Sequence, residues 1–278
     1  MASHSKVENN FYFAKNRLTN DIMILDASMS DFSYATHAHE EFSFGVTLSG
    51  RQDFFARGEY FKCPPNSVIV FNPDDAHDGH AGGEDPLHYK MLYIHPNQLR
   101  PMLFSAGVKQ AEHFRVQECV QYNTAIRQHI LRLAHLVESN NTEPLHYDSA
   151  LFEFAQSLAA QQGTWSENKK CNKDPVFERV RDYLHSQTSH EVTLDDLSRI
   201  AHMSKFHLLR RFKTYFGMTP YKYWQNQRLN KAKKALDLGM APNDVAFALG
   251  FNDLSHFNRN FKPVFGMTPY QYSQLLKN

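Results

Sequence analysis

Five ionisable residues in the N-terminal part of the sequence have types and spacing that suit a small-ligand or metal site. His37 and His39 are separated by one residue, so on a β-strand both imidazoles point to the same face, which Glu41 shares. His77 and His80 follow farther along the chain. Imidazole and carboxylate groups ligate transition metals, and neutral imidazoles also hydrogen-bond small ligands. The pattern therefore predicts a ligand site and leaves open whether a metal takes part.

A second pattern that carries chemistry is an internal repeat near the C-terminus. Phe216–Tyr221 recurs without change as Phe265–Tyr270, at an offset of 49 residues, and Arg210 matches Arg259 at the same offset. Such identity at a fixed offset marks a duplicated supersecondary unit. Each copy is predicted to be two short helices joined by a tight turn, with Arg, Lys and Asn on the second helix. This is the pattern of a helix-turn-helix that binds DNA.

The elements that must position these basic side chains follow from caps and apolar spacing. We predict helices over Leu197–Ala201 and Lys205–Tyr215 in the first copy, and over Asn243–Leu249 and Leu254–Val264 in the second. A long helix over Pro220–Leu238 joins them and would span roughly 28 Å. That length suits two recognition helices placed about one turn of B-DNA apart.

The N-terminal part is predicted to be mostly β-structure. Residues 20–95 contain short apolar or alternating runs broken by Gly and Pro, which is typical of a small barrel or sandwich. Beyond Pro96 the apolar period changes to that of helices, over Thr124–Ser139 and Leu145–Ala160. Residues 163–174 are polar and aperiodic, which predicts a linker.

Helix Thr124–Ser139 also carries the apolar spacing of a helix pair. Ile126, Ile130, Leu133 and Val137 recur at intervals of four, three and four residues. One interpretation is packing against the chain's own barrel, and the other is packing against a second subunit. We favour the subunit interface slightly, since the next helix could cover the barrel.

Charge and cysteine content narrow the class of protein. Residues 1–173 carry 15 Lys/Arg and 20 Asp/Glu, whereas residues 174–278 carry 15 Lys/Arg and 9 Asp/Glu. A basic C-terminal segment on an acidic body favours a polyanionic partner. The three cysteines lack close spacing, and neither a signal peptide nor an apolar membrane span is predicted, so we expect a cytoplasmic protein.

The C-terminal segment resembles the AraC/XylS family of transcription regulators over about residues 190–272. The first half of the matching motif has Leu197, Ala201, Ser204, Leu208, Arg210, Phe212, Lys213, Phe216, Gly217, Thr219 and Pro220. The second half has Val245, Ala246, Gly250, Phe251, Asp253, Ser255, Phe257, Arg259, Phe261, Lys262, Gly266, Thr268 and Pro269. The resemblance implies two recognition helices in successive major grooves of double-stranded promoter DNA.

The resemblance also implies roles for individual side chains on these helices. The positions that match base-facing residues of the family are Phe206, Leu209, Arg210, Leu254, Ser255, Asn258 and Arg259. Lys205, Lys213 and Lys262 are better interpreted as phosphate contacts, which position the protein without reading the base sequence.

The N-terminal half resembles the cupin-type sensor barrel of the same family. That resemblance implies a small-molecule effector near His37, His39, Glu41, His77 and His80. An aromatic-rich barrel mouth is predicted to hold this ligand, and its residues are Phe42, Phe44, Phe54, Tyr60 and Phe71. Cupin enzymes use two such histidines, a Glu and a later His to hold a transition metal. Here the expected Glu position holds Ser43 or Phe44, and only Glu40 and Glu41 are near. A metal site, a metal-free ligand pocket and a purely structural barrel all stay open; we favour the metal-free pocket and assign no cofactor.

The predicted architecture is an α+β multidomain protein. We expect a cupin-like ligand-sensing β-barrel over residues 1–95, a helical dimerisation region over 96–162, a linker over 163–174 and an all-α double helix-turn-helix domain over 175–278. The predicted function is a sequence-specific, ligand-responsive transcription activator that is not an enzyme. By family resemblance it acts as a homodimer with RNA polymerase as a partner.

Two other functions compete with this prediction. The alternative is a metal-dependent cupin enzyme fused to a DNA-binding domain. A DNA-repair methyl acceptor is disfavoured, because that chemistry needs a thiolate activated by a metal or a neighbouring general base. None of Cys63, Cys119 and Cys171 has metal-ligand spacing or a histidine beside it in the sequence.

Overall fold

A computed structural model describes residues 9–15, 22–139, 143–161, 165–166, 174–187 and 192–275. The chain forms two compact units. The first comprises Met1–Ser33, His39–Asp74 and Gly79–Lys169, and the second comprises Tyr34–Ala38, Asp75–Asp78 and Lys170–Asn278. The N-terminal part is β-rich and the C-terminal part is helical, so the α+β fold class is confirmed.

Two main sheets organise the N-terminal part. The strands of the described residues are β1 (Asn10–Lys15), β2 (Ile22–Met29), β3 (Ser33–His37), β4 (Phe42–Ser49), β5 (Gln52–Ala56), β6 (Glu59–Cys63), β7 (Val68–Phe71), β8 (His77–Ala81), β9 (Leu87–Ile94), β10 (Arg115–Val116), β11 (Val120–Gln121) and β12 (Trp165–Ser166). A six-stranded antiparallel sheet has the order β1-β2-β9-β4-β7-β11. A four-stranded sheet has the order β3-β8-β5-β6, and β10 pairs with β12.

Three helices follow the main strands in the first unit, and seven form the C-terminal part. The helices of the described residues are α1 (Pro96–Ser105), α2 (Thr124–Glu138), α3 (Pro144–Ala160), α4 (Pro175–Ser186), α5 (Leu194–Ala201), α6 (Lys205–Phe216), α7 (Pro220–Asp237), α8 (Pro242–Ala248), α9 (Leu254–Phe265) and α10 (Pro269–Leu275). Within the described ranges, no helix is long and apolar enough to cross a membrane.

Strand β4 shows how alternation divides the first unit into two layers. Phe42, Phe44 and Val46 are buried in the core that the six-stranded sheet shares with α1–α3. The ring of Phe44 meets that of Phe154 on α3 at 5.0 Å, edge to face. The predicted aromatic barrel mouth is therefore wrong for Phe42 and Phe44, because these rings face the helices and fill the core.

The apolar stripe of α2 belongs to the same core. Ile126, Ile130 and Leu133 are 0% exposed and Val137 is 2% exposed. The prediction that this stripe forms the subunit interface is wrong. Its apolar side chains already cover the sheet of their own unit, and a narrow stripe packs against one surface only.

The opposite face of the six-stranded sheet looks toward the four-stranded sheet. Phe71 of β7 meets Phe54 of β5 at 5.1 Å, edge to face, and Phe54 stacks on Phe61 of β6. The β4 side chains on this inner face are Ser43 and Thr47. A layer with both rings and hydroxyl groups therefore lies between β4 and β5.

The helical part follows the predicted duplication. Leu208 and Phe212 of α6 are fully buried with Leu197 of α5, and Phe257 and Phe261 of α9 are fully buried at the repeated positions. Helix α7 is 18 residues long, about 27 Å. The sequence prediction missed α1, α10 and strand β1. Of the predicted linker 163–174, residues 165–166 form β12 and residue 174 caps α4, and the rest lies outside the described residues.

Candidate functional sites

The first helix-turn-helix is built by local caps. Thr193 and Asp196 form a capping box at the start of α5, and the turn after α5 passes through His202 in the left-handed conformation, φ 51°. The Ser204 hydroxyl oxygen then accepts from the amide of His207 to begin α6. Gly217, φ 73°, ends α6. These caps fix the axis of the recognition helix relative to the helix before it.

The second helix-turn-helix repeats this construction with other residues. The Asp253 carboxylate accepts from the amide of His256 at 2.6 Å to cap α9, and Gly266, φ 79°, ends that helix. The side chain of Arg228 on α7 donates to the carbonyl oxygen of Leu249 at the end of α8. The long connecting helix thus holds the turn of the second motif.

The structure leaves the predicted base-facing side chains at least partly in solvent. Phe206 is 87% exposed and Leu254 is 38% exposed. Of the remaining five, three are exposed and two are half-buried: Arg210, Ser255 and Arg259, then Leu209 and Asn258. The buried positions of α6 and α9 lie on a different face of each helix from these residues. Each helix therefore has one face in the core and one face available to DNA.

Among the predicted phosphate contacts, the surroundings differ. Lys205 is exposed and forms an ion pair with Asp195 of α5 at 2.8 Å, so part of its charge is compensated. Lys213 and Lys262 are exposed. A neighbouring arginine, Arg211, pairs with Asp174 at 3.1 Å and lies over the ring of Phe177.

The histidines predicted from their spacing form a second site. His37, His39 and His77 each offer a ligand atom within 4.8 Å of the other two. The rings of His37 and His77 are 4.5 Å apart between centroids. His39 packs edge to face on Tyr93 at 5.1 Å. All three histidines are buried, with exposed fractions of 4%, 9% and 5%.

Burial fixes the protonation state of this cluster. Nδ1 of His37 lies 2.7 Å from the carbonyl oxygen of Ala35, and Nδ1 of His77 lies 2.8 Å from that of Asp75. A carbonyl oxygen can only accept, so each Nδ1 is the donor and Nε2 carries the lone pair. Burial lowers the pKa of His37 to about 4, and burial together with the charge of His37 lowers the pKa of His77 well below 6.5. Both imidazoles are neutral at pH 7.

The other two predicted ligand residues lie outside this group of three. Glu41 is half-buried, and its charge contributes to raising the pKa of the buried Tyr93 phenol well above 10, after the larger effect of burial. His80 instead lies 3.2 Å from the hydroxyl of Tyr60, which donates to Asp53. Asp53 also accepts two hydrogen bonds from Arg51.

Sequence reasoning missed three polar side chains inside the β-layer. The hydroxyls of Ser43 and Thr47 and the amide oxygen of Gln52 are buried without a hydrogen-bond partner in the described residues. A buried polar atom without a partner is costly, so each would gain from a ligand or water. The indication in the sequence was two hydroxyl residues alternating with Phe42, Phe44 and Val46 on a buried strand.

The donor set of the histidine cluster fits a transition metal in part. Three imidazoles, two of them neutral and oriented by Nδ1 hydrogen bonds to carbonyl oxygens, resemble protein sites that hold zinc or iron with an open position. A carboxylate ligand is not among the three grouped residues, since Glu41 lies outside the group.

The cysteines of the described residues do not suit thiolate chemistry. Cys63 and Cys119 are both buried. Burial raises the pKa of the Cys63 thiol to about 12, and the charge of Asp53 contributes further. An activated thiolate needs the opposite shift. Cys171 lies outside the described residues.

Two family models match the two parts of the chain. Residues 20–155 match the AraC-like ligand binding domain, and residues 197–274 match a helix-turn-helix domain. The HTH-type transcriptional regulator YbfI of Bacillus subtilis is 27% identical over 226 residues, which cover 80% of this chain and 81% of YbfI. The HTH-type transcriptional activator RhaS of Klebsiella pneumoniae is 22% identical, covering 84% of this chain and 85% of RhaS.

A solved structure shares the fold. The structure of ToxT from Vibrio cholerae matches with a TM-score of 0.59 at 12% identity, covering 93% of this chain and 100% of ToxT. The β-rich domain and the paired helix-turn-helix units define a DNA-binding transcription regulator. The chain belongs to the AraC/XylS family, as its sequence motifs indicated.

Proposed function

We propose that this protein is a cytoplasmic, effector-responsive transcription activator that binds promoter DNA as a homodimer and contacts RNA polymerase. The observation that carries the DNA-binding part is the matched placement of Arg210 on α6 and Arg259 on α9. Both are exposed, and both lie on the face opposite buried Phe residues at equivalent positions of the repeat. Arginine in this setting can donate two hydrogen bonds to one guanine.

The remaining side chains of the two helices divide by chemistry. In this proposal Phe206, Leu209, Leu254, Ser255 and Asn258 face bases together with the two arginines. Lys213 and Lys262 contact phosphates, because they lie near the ends of their helices and carry no base-specific geometry. Lys205 contributes less than these two, since Asp195 already neutralises part of its charge.

The effector site of this proposal lies in the β-layer. His37, His39 and His77 supply imidazoles, of which those of His37 and His77 are neutral. Ser43, Thr47 and Gln52 supply buried polar atoms that lack hydrogen-bond partners among the described residues. Such groups hydrogen-bond an uncharged polar ligand and do not neutralise a charged one. Glu41 and His80, which lie outside the histidine group, would have at most an indirect role.

Activation and dimerisation are supported more indirectly. The relatives named as activators include RhaS and the XylDLEGF operon transcriptional activator of Pseudomonas putida, which is 29% identical over 224 residues. The buried stripe of α2 is not available to a partner subunit, so a dimer interface would use another surface. Light scattering on the purified chain measures the oligomeric state directly.

The experiment that tests DNA binding is selection from a random DNA library with the purified full chain, followed by footprinting. Arg210→Ala and Arg259→Ala should each weaken binding by about ten- to a hundred-fold and relax the preference at one base pair. Arg211→Ala is the matched control, because its guanidinium pairs with Asp174 and lies over the ring of Phe177. Enrichment of no sequence, or unchanged footprints for both variants, would refute the proposed function.

A metal-dependent enzyme is a second candidate, and the three grouped imidazoles are the observation that favours it. Metal analysis of the protein purified without chelator decides between the two candidates for this site. Stoichiometric metal that His39→Ala loses would favour the metal site. A metal-free protein would favour the uncharged ligand.

A further inference from the structure

The two recognition helices differ in chemistry at equivalent positions. The offset of 49 residues aligns Arg210 with Arg259, but it aligns Phe206 with Ser255 and Leu209 with Asn258. The first helix thus carries two apolar side chains where the second carries hydrogen-bonding ones. Two helices that bind DNA in the same way would then select different base pairs.

Among the residues that differ between α6 and α9, Phe206 is unusual because a large apolar ring lies in solvent. It lies in the first turn of α6 and is 87% exposed, whereas Leu208 and Phe212 on the same helix are fully buried. The phase of α6 keeps Phe206 out of the core: residues 206, 210 and 213 are spaced four and three apart and share one face. A phenyl ring therefore lies on the face that carries Arg210 and Lys213.

The major groove contains one apolar group that a phenyl ring can recognise. Thymine presents a C5 methyl group there, whereas unmodified cytosine, adenine and guanine carry no methyl group at that edge. Basic side chains on the same helix bring that ring toward the duplex, because phosphates attract them whatever the sequence. Contact with the methyl removes apolar surface of both partners from water.

We propose that Phe206 is a specificity-determining residue that contacts the C5 methyl group of a thymine in the half-site bound by α6. This inference rests on the proposed DNA-binding function. Leu209 extends the apolar surface by one helical turn, and Arg210 is left to bind a neighbouring base. Because α9 has Ser255 and Asn258 at these positions, it has no counterpart of the Phe206 contact.

The test uses the DNA that the full chain selects from a random library. Each thymine is replaced singly by deoxyuridine, which lacks only the methyl group. Wild type should bind about four-fold more weakly at one or two positions of the α6 half-site, the effect of one buried methyl-sized group. At the same position, 5-methylcytosine should bind more tightly than cytosine.

Phe206→Ser, which installs the residue that α9 has at this position, should bind thymine and deoxyuridine equally. Phe247→Ser is the matched control, because Phe247 on α8 is also 87% exposed and should leave the discrimination unchanged. Selection of no sequence would overturn the proposed function itself. A selected sequence on which wild type ignores every methyl group, or on which Phe206→Ser still discriminates, would overturn this inference alone.

Discussion

The guanidinium of Arg228 donates two hydrogen bonds to the carbonyl oxygen of Leu249, with Nε and Nη2 at 2.9 and 2.7 Å. The Cζ atom of Arg228 lies 4.5 Å from the ring centroid of Trp224 and 4.3 Å from that of Phe251. Arg228 is only 5% exposed. One side chain of α7 thus satisfies the end of α8 and fills the space between two aromatic rings, which fixes the second helix-turn-helix on the connecting helix.

Arg228→Ala should therefore lower the free energy of unfolding by about 3 kcal/mol, through the lost cation–π contacts and an unpaired carbonyl oxygen. Arg228→Lys should recover part of this loss, since an ammonium group keeps the charge but lacks the planar fork. Lys222→Ala, exposed on the same helix, should change stability little. Urea unfolding measures all three. A wild-type midpoint for Arg228→Ala would contradict the structural role.

The buried apolar stripe of α2 predicts that a charge placed in it unfolds the first unit. A subunit interface would instead predict a folded monomer. Ile130→Glu places a charge in a core position that is 0% exposed, and should cost more than about 4 kcal/mol, leaving the first unit unfolded. Ile130→Val should cost about 1 kcal/mol. Gln128→Glu, exposed on the same helix, is the control. Circular dichroism and light scattering distinguish the outcomes. A folded monomeric Ile130→Glu variant would restore the interface interpretation.

The helical part was predictable because its information is local. Thr193, Ser204 and Asp253 are N-cap residues and mark where helices begin. Gly217 and Gly266 mark where helices end, to within a few residues. The repeat then supplied the relation between the two motifs. Helix α10 was missed because the long-range contact that holds it, the hydrogen bond from Tyr272 to Asp237, leaves no periodic pattern in a seven-residue helix.

The β-rich part was harder to predict from the sequence. The alternation of apolar and polar residues shows which side chains share a face of a strand, but not which element packs against that face. Strand parity predicted one shared face for His37, His39 and Glu41. The structure groups the two histidines with His77, but β3 ends at His37 and Glu41 lies outside the group. The sequence could not tell that Phe42 faces α1–α3, since which face of a sheet the helices cover depends on chain connection. For the same reason the α2 stripe was assigned to a second subunit.

The two lysines at the ends of the recognition helices predict a dependence on salt. Lys213→Ala and Lys262→Ala should weaken binding similarly on all sequences and should each flatten the slope of log affinity against log salt by about one unit. Both side chains are exposed, so folding should be unchanged. Lys109→Ala, exposed in the first unit, should keep the wild-type slope. Fluorescence anisotropy at several salt concentrations measures this. A loss confined to one operator base would contradict the phosphate role.

The buried histidine pair predicts a dependence of stability on pH. The pKa of His37 is lowered from its usual 6.5 to about 4 by burial, so the unfolded chain binds more protons than the folded chain between these values. The contribution of the neutral His37 to the free energy of unfolding is fully present above about pH 6.5. It is lost as the pH falls toward 4, and the loss for His37 is about 3 kcal/mol. The pKa of His77 is shifted in the same direction, so this residue adds to the loss of stability.

Urea unfolding in a chelator-containing buffer from pH 7.5 to 4 should show this decline in stability. His37→Gln, which keeps a neutral donor for the Ala35 carbonyl, should make the decline shallower. His113→Gln, at an exposed position, should leave it unchanged. If His37→Gln declined as steeply as wild type, the acid sensitivity would arise from other groups, and the neutral pair would not be its source.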